Sequence, residues 1–126
     1  MDDYSESALI SEAVILIRIN QLYSEGMGRQ ALYDATRGIW RVGERRYKAD
    51  FAFAVYQGMV KEVYRIENWV PAGTTLDRPD LDEFDLSTRW EFVGKIAEES
   101  IRQKYLGKSV RSYLGRSQNP ILYVNC

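Results

Sequence analysis

Two arginines flank a tryptophan directly after a predicted helix, and this group is the first candidate ligand contact in the chain. Arg37, Trp40 and Arg41 lie close together in the sequence. A guanidinium group offers paired donors to phosphate oxygens, and an indole offers a face on which a nucleobase can stack. The same residues would also suit a core tryptophan with arginines that extend into solvent, so both interpretations of Trp40 stay open.

Other aromatic and cationic residues extend this candidate site. Two further tryptophans have charged or amide neighbours, in Glu67-Asn68-Trp69 and Arg89-Trp90-Glu91. Cationic and amide side chains near the glycines of residues 107–119 suit phosphate oxygens, although exposed loop residues need no such role. The predicted ligand-binding residues are Arg37, Trp40, Arg41, Trp69, Arg89, Trp90, Lys108, Arg111, Arg116 and Asn119.

Charge is distributed unevenly along the chain, although the net charge is only −1. Residues 37–48 hold five basic residues and one acid, and residues 102–116 hold five basic residues and no acid. Residues 77–85 hold five acids and one arginine. The pattern favours an anion site beside an acidic loop, and solvated faces that neutralise one another would explain it equally well.

The sequence excludes several kinds of catalytic and metal chemistry. It contains no histidine, and its single cysteine is Cys126. Ser-His-Asp and Cys-His catalysis and zinc sites with imidazole ligands are therefore excluded. The acids of 77–85 lack the glycine and closing glutamate of an EF-hand loop. A carboxylate acid or base such as Glu62 or Glu91 stays compatible with the sequence, but we expect a non-catalytic protein without metal or cofactor.

Composition predicts a globular cytoplasmic protein. The chain has 126 residues, of which 45% are hydrophobic, so one core is expected. No apolar run approaches the roughly 18 residues of a membrane span, so we expect no contact with the membrane. The acidic start, residues 1–6, is unlike a secretory signal, and a lone cysteine suits a reducing compartment.

Hydrophobic periodicity indicates the elements that must position these residues. The β-branched run 14–19 predicts a strand buried on both faces, and helical spacing over 29–37 predicts a short helix that ends at Gly38. Residues 51–56 and 59–70 flank Gln57-Gly58 and predict a hairpin.

The second half of the chain alternates between predicted strands and short helices. Strict alternation over 89–96 predicts a half-buried strand with Trp90 and Phe92 on one face and Glu91 on the other. A helix is predicted to begin at 98–99 and to end at Gly107, followed by a helical turn over 108–114 and a strand over 121–124. Together the elements predict one α+β domain over 1–126, with a mostly antiparallel, curved or barrel-like sheet and two or three short helices. A flexible segment 1–12 and a long acidic loop 74–88 are also predicted.

Four segments carry a resemblance to known proteins. They are Ala35-Thr36-Arg37-Gly38-Ile39-Trp40, Ala54-Val55-Tyr56-Gln57-Gly58, Arg89-Trp90-Glu91-Phe92-Val93-Gly94 and Asn119-Pro120-Ile121-Leu122-Tyr123-Val124-Asn125. From about Ile17 onward the chain resembles a small, uncharacterised prokaryotic and phage-borne family, which implies no particular activity. More loosely, the apolar strand, glycine turn and strand ending in Trp69 are similar to PUA-like domains of the ASCH and EVE types, which implies a small barrel that binds RNA or modified bases.

Three functions are compatible with these observations. The first is a non-catalytic nucleotide sensor or trap in phage–host conflict, with an Arg- and aromatic-lined pocket at a homo-oligomer interface. The second is a PUA-like nucleic-acid or modified-base reader, with a continuous basic groove and salt-sensitive binding. The third is a protein inhibitor that acts through the acidic loop. Alanine at Arg37 and Arg41 is expected to abolish the first two functions and to leave the third intact.

Overall fold

A five-stranded sheet forms the centre of the protein, in a computed structural model that describes residues 6–126. The strands are β1 (Val14–Arg18), β2 (Phe51–Tyr56), β3 (Met59–Pro71), β4 (Trp90–Ile96) and β5 (Ile121–Val124). The helices are α1 (Arg29–Arg37), α2 (Glu99–Tyr105) and α3 (Arg111–Leu114). The predicted strands, helices and hairpin therefore occur where periodicity placed them, and the α+β class is confirmed.

Strand order in the sheet is β4-β3-β2-β1-β5. β1 and β2 are parallel and α1 lies between them in the chain, whereas the other three pairings are antiparallel. The sheet is thus mostly antiparallel, as predicted, but it is not closed into a barrel. β4 and β5 are the two edge strands and do not pair with each other. A closed barrel would require that pairing.

Alternation in β2 separates two apolar layers on the two faces of the sheet. Phe51 and Phe53 point to the face covered by α2 and α3, while Ala52 and Ala54 point to the face covered by α1. The small alanines leave room for the larger side chains of α1 on that face. At the hairpin turn, Gln57 and Gly58 have φ of 50° and 80°, the left-handed pair that a two-residue hairpin requires.

The prediction that residues 89–96 form a half-buried strand is wrong at Glu91. Trp90, Phe92 and Ile96 do pack in the apolar layer on the α1 side of the sheet. Glu91, on the opposite face of β4, is also completely buried, because the segment 73–76 folds over it. Alternation reports only which residues share a face, and a loop from elsewhere in the chain determines whether that face meets solvent.

The amino-terminal segment divides into two parts. Residues 1–5 of the predicted flexible segment 1–12 lie outside the described residues. Ala8 and Ile10 are buried in the α2 layer, and the Ala8 amide donates to the Ser109 carbonyl at 2.8 Å. Ala8 and Ile10 therefore pack with α2, whereas Leu9 between them is exposed.

Most of the basic residues of 102–116 are neutralised by acids. Arg102 forms a bidentate pair with Glu62, at 2.8 Å and 3.1 Å. Two lysines of the same segment form ion pairs with acids near the amino terminus, namely Lys104 with Glu12 and Lys108 with Glu6. These basic residues hold α2 and the amino-terminal segment on the sheet.

The ion pair of Arg65 with Glu98 gives a testable pH dependence. The Arg65 guanidinium donates to both Glu98 oxygens, at 2.9 Å and 2.5 Å, and holds the pKa of Glu98 at about 2, below its ordinary 4.5. A depressed pKa in the folded state stabilises the fold at pH values above 4.5, and that stabilisation is lost as pH falls towards 2. In urea unfolding, Glu98→Gln should therefore be less stable than the wild type at pH 7, with the difference disappearing near pH 2.

Arg65→Gln removes the other member of the pair and should give the same pH profile. A stability difference that persists unchanged at pH 2 would contradict this account.

Candidate ligand-binding cleft

A cleft of about 540 Å³ opens beside the carboxyl end of β1. Its walls come from residues 18–22 at the end of β1, residues 38–40 after α1, and the segment that precedes β4. Gln118 and Pro120, just before β5, complete the wall. Segments that are distant in the sequence therefore form this concave surface together.

Three guanidinium groups line the cleft, and each is held by a backbone carbonyl. Arg18 Nη1 donates to the Ser117 oxygen at 2.5 Å, and Arg78 Nη1 donates to the Gly38 oxygen at 2.8 Å. Arg89 Nη1 donates to the Ile39 oxygen at 3.3 Å. Since a guanidinium carries five N–H donors, these anchors orient the groups and use only part of their capacity.

One carboxylate accompanies the three cations. Asp80 accepts two hydrogen bonds from Arg78, with Oδ1 2.9 Å from Nε and Oδ2 2.7 Å from Nη2. The hydrogen bond from Arg78 lowers the pKa of Asp80 below its ordinary 3.8. The formal charge of the lining residues is therefore positive, with one ionised carboxylate at a defined position.

Aromatic side chains supply the apolar part of the cleft. The Trp40 indole Nε1 donates to the Thr36 carbonyl at 2.7 Å, and the Trp40 and Trp90 backbones exchange hydrogen bonds of 2.9 Å and 2.8 Å. The Phe84 ring lies 4.9 Å from the Arg89 guanidinium carbon and is 37% exposed. Trp40, Phe84 and Arg89 thus line the same space.

Buried Glu91 anchors the chain segment that leads into the cleft. Its Oε1 accepts from the Gly73 amide at 2.7 Å, and its Oε2 accepts from the Thr75 and Leu76 amides at 2.7 Å and 2.9 Å. The Thr75 hydroxyl also donates to Oε2, and Arg37 Nη1 lies 3.5 Å from it. This network fixes residues 73–76, which end two positions before Arg78.

The structure brings two of the predicted ligand-binding residues, Trp40 and Arg89, into the cleft. Arg37 is 7% exposed and lies in the interior, where Nε donates to Asp34 at 2.9 Å and Nη1 donates to Thr75 at 2.6 Å. An alanine at Arg37 would thus break an internal network, so the variant proposed from sequence does not isolate a ligand contact.

Trp69 and Trp90 pack in the core layer next to α1, against which Trp40 also packs. Trp69 is 5% exposed and donates from Nε1 to the Arg46 carbonyl at 3.1 Å. The guanidinium of Arg46 covers the Trp90 ring at 3.7 Å. These two indoles do not line the cleft.

The remaining predicted residues lie outside the cleft wall. Lys108 pairs with Glu6, and Arg111 Nη2 donates to the Gln57 carbonyl at the hairpin turn. Arg41 and Arg116 are exposed. Asn119 is also exposed, although its two neighbours, Gln118 and Pro120, contribute to the wall.

Sequence reasoning missed several residues of the cleft, chiefly Arg18, Arg78 and Phe84. Arg18 ends the apolar run of β1, and the carboxyl end of a strand in a β-α-β unit commonly faces a ligand site. Arg78 is the one basic residue of the acidic segment 77–85. In both cases the sequence does contain a signal, namely a single arginine in an otherwise apolar or acidic segment.

Within residues 6–126, no group of three His, Cys, Asp or Glu side chains could hold a metal ion. Glu62 pairs with Arg102, and Glu91 is enclosed by the segment 73–76; neither lines the cleft. Among the same residues, no helix has the length and apolar character needed to cross a lipid bilayer.

The chain has no significant match to a protein family, a curated protein or a solved structure. The resemblances to the phage-borne family and to PUA-like domains therefore stay hypotheses, and the cleft is the feature that points to a function.

Proposed function

We propose that the protein is a non-catalytic binder of a small nucleotide, which it holds in this cleft as a sensor or a sequestering protein. The observation that carries the proposal is the convergence of Arg18, Arg78 and Arg89 beside Trp40. Guanidinium groups bind phosphate oxygens, and aromatic faces accept a stacked base. A nucleotide presents both of these chemistries in one molecule.

The dimensions and charge of the cleft support a ligand of this kind. Its volume of about 540 Å³ lies within the range of roughly 300–1,000 Å³ that is usual for small-molecule sites. Three guanidinium groups against one carboxylate favour an anion. Backbone anchoring supports the proposal further, because arginines that are already oriented lose less conformational entropy when a ligand binds.

Removal of one cleft arginine is expected to weaken nucleotide binding. We expect Arg89→Ala to reduce the affinity for the best-bound nucleotide about 10- to 100-fold, since a hydrogen bond to a charged group contributes about 1.5–3 kcal/mol. Isothermal titration calorimetry with mononucleotides, cyclic dinucleotides and cyclic ADP-ribose isomers would measure the loss.

Arg29→Ala is the matched control for this test. Arg29 is exposed at the start of α1 and does not line the cleft, so its removal should leave the affinity unchanged. Equal losses in the two variants would contradict a site in the cleft, and so would undiminished binding by Arg89→Ala.

The PUA-like reader is the alternative that oligonucleotides test in the same titrations. Several basic side chains of the predicted basic segments, including Arg37 and Arg102, form ion pairs within the protein. This favours a small ligand over an extended nucleic-acid groove. Tight, salt-sensitive binding of an oligonucleotide would favour the reader. Absence of binding to every nucleotide and oligonucleotide would favour the protein inhibitor with its acidic loop.

A further inference from the structure

We infer that Asp80 determines the specificity of the cleft by accepting a hydrogen bond from one donor of the ligand. In a nucleotide such a donor is the 2′-hydroxyl of ribose or the N1–H of guanine. This inference rests on the proposed function and adds a rule for which nucleotides are preferred.

Asp80 is held in one orientation by its partner. Arg78 donates to both carboxylate oxygens, and its remaining terminal nitrogen is anchored on the Gly38 carbonyl at 2.8 Å. On the main chain, the Asp80 carbonyl accepts from the Glu83 amide at 3.0 Å. The carboxylate is therefore supported from both its side chain and its backbone.

The carboxylate keeps acceptor capacity for a ligand. An ionised carboxyl group has about four lone-pair sites, and Arg78 occupies one on each oxygen. The Asp80 side chain is 32% exposed and lines the cleft. Since the bond to Arg78 lowers the pKa of Asp80, the group is an acceptor, not a donor, at neutral pH.

Electrostatics then orients the ligand. A phosphate facing Asp80 would be repelled by its negative charge, whereas Arg18 and Arg89 offer cations elsewhere in the same cleft. The phosphate is therefore expected near Arg18 and Arg89, and hydrogen-bond donors of the ligand are expected at Asp80. One donor of the ligand can use a lone pair of Asp80 that Arg78 leaves free.

The test compares AMP, dAMP, GMP and dGMP on the wild type and on Asp80→Asn by calorimetric titration. We expect a preference of about tenfold or more, because a ligand that lacks the donor loses a hydrogen bond to an oriented, partly buried carboxylate. Preference for the ribo forms would identify the 2′-hydroxyl as the donor, and preference for the guanine forms would identify the base edge. Either preference should fall sharply in Asp80→Asn.

Asp82→Asn is the matched control, because Asp82 belongs to the same acidic segment, is exposed and does not line the cleft. Thermal unfolding of each variant checks that the fold is retained.

Equal binding of all four nucleotides by the wild type would overturn the inference and leave the proposed function intact. A uniform change of all four affinities in Asp80→Asn, upward or downward, would also overturn it, because Asp80 would then act only on the phosphate or on Arg78. Failure of all four to bind the wild type would overturn it as well, and a failure that extended to the cyclic nucleotides would overturn the proposed function too.

Discussion

Glu91→Ala is expected to reduce the free energy of unfolding by about 3–5 kcal/mol, the usual cost of removing one partner from a buried ion pair. The Glu91 carboxylate is fully buried and accepts from three backbone amides and the Thr75 hydroxyl. Its removal would take away the acceptor that these donors share and would break the ion pair with Arg37, which keeps Asp34 as a partner. Urea denaturation at neutral pH would measure the loss.

Two further variants make this result specific. Glu67→Ala removes a half-exposed carboxylate of β3, 3.9 Å from Lys95, and should change stability by no more than about 0.5 kcal/mol. Glu91→Gln keeps the shape and one acceptor oxygen, so its stability should lie between those of Glu91→Ala and the wild type. A loss in Glu91→Ala as small as that in Glu67→Ala would contradict the structural role of the network.

The anchoring role of Glu91 also connects stability to the cleft. Residues 73–76 are held by Glu91 and end two positions before Arg78, which lines the cleft. Loss of the anchor would increase the freedom of Arg78 and raise the entropic cost of ligand binding.

Gly94→Ala is expected to cost about 1–3 kcal/mol or more, because a methyl group at this position has no space. Its Cβ would overlap the Arg65 carbonyl oxygen, and the obstacle is backbone that a side-chain rotation cannot move. Gly94 pairs with Ile66 where the β3–β4 register shifts, so relief of the overlap would have to separate the two strands. The urea midpoint should fall accordingly.

Gly43→Ala is the control for this substitution. Gly43 has a φ of −86°, and nothing lies within 4 Å of a Cβ built on it. Its replacement should change stability by less than about 1 kcal/mol in either direction. A Gly94→Ala protein as stable as Gly43→Ala would show that β4 is not held as closely to β3 as the structure describes.

Secondary structure was accessible from the sequence because its signals are local. The apolar run of β1, the helical spacing of α1 and the Gln57-Gly58 turn each act within a few residues. The strand β4 was also predicted with the correct core face, since Trp90 and Phe92 alternate with Glu91. The sequence did not indicate that the sheet is open, because closure depends on whether β4 and β5 pair with each other.

The candidate site was only partly predictable for the same reason. Trp40 and Arg89 were identified by residue type, and both line the cleft. Arg37 has equally suitable chemistry, but it is turned inward to the buried Glu91, and nothing near it in the sequence indicates that partner.

The sequence by itself determined the elements, the α+β class and the absence of histidine chemistry. Only the tertiary structure decided which arginines share a space. Arg18, Arg78 and Arg89 lie on three separate segments, and they converge because sheet order and the anchored segment 73–76 bring those segments together. Contacts between distant segments depend on how whole elements pack, whereas periodicity within one segment reports only its own faces.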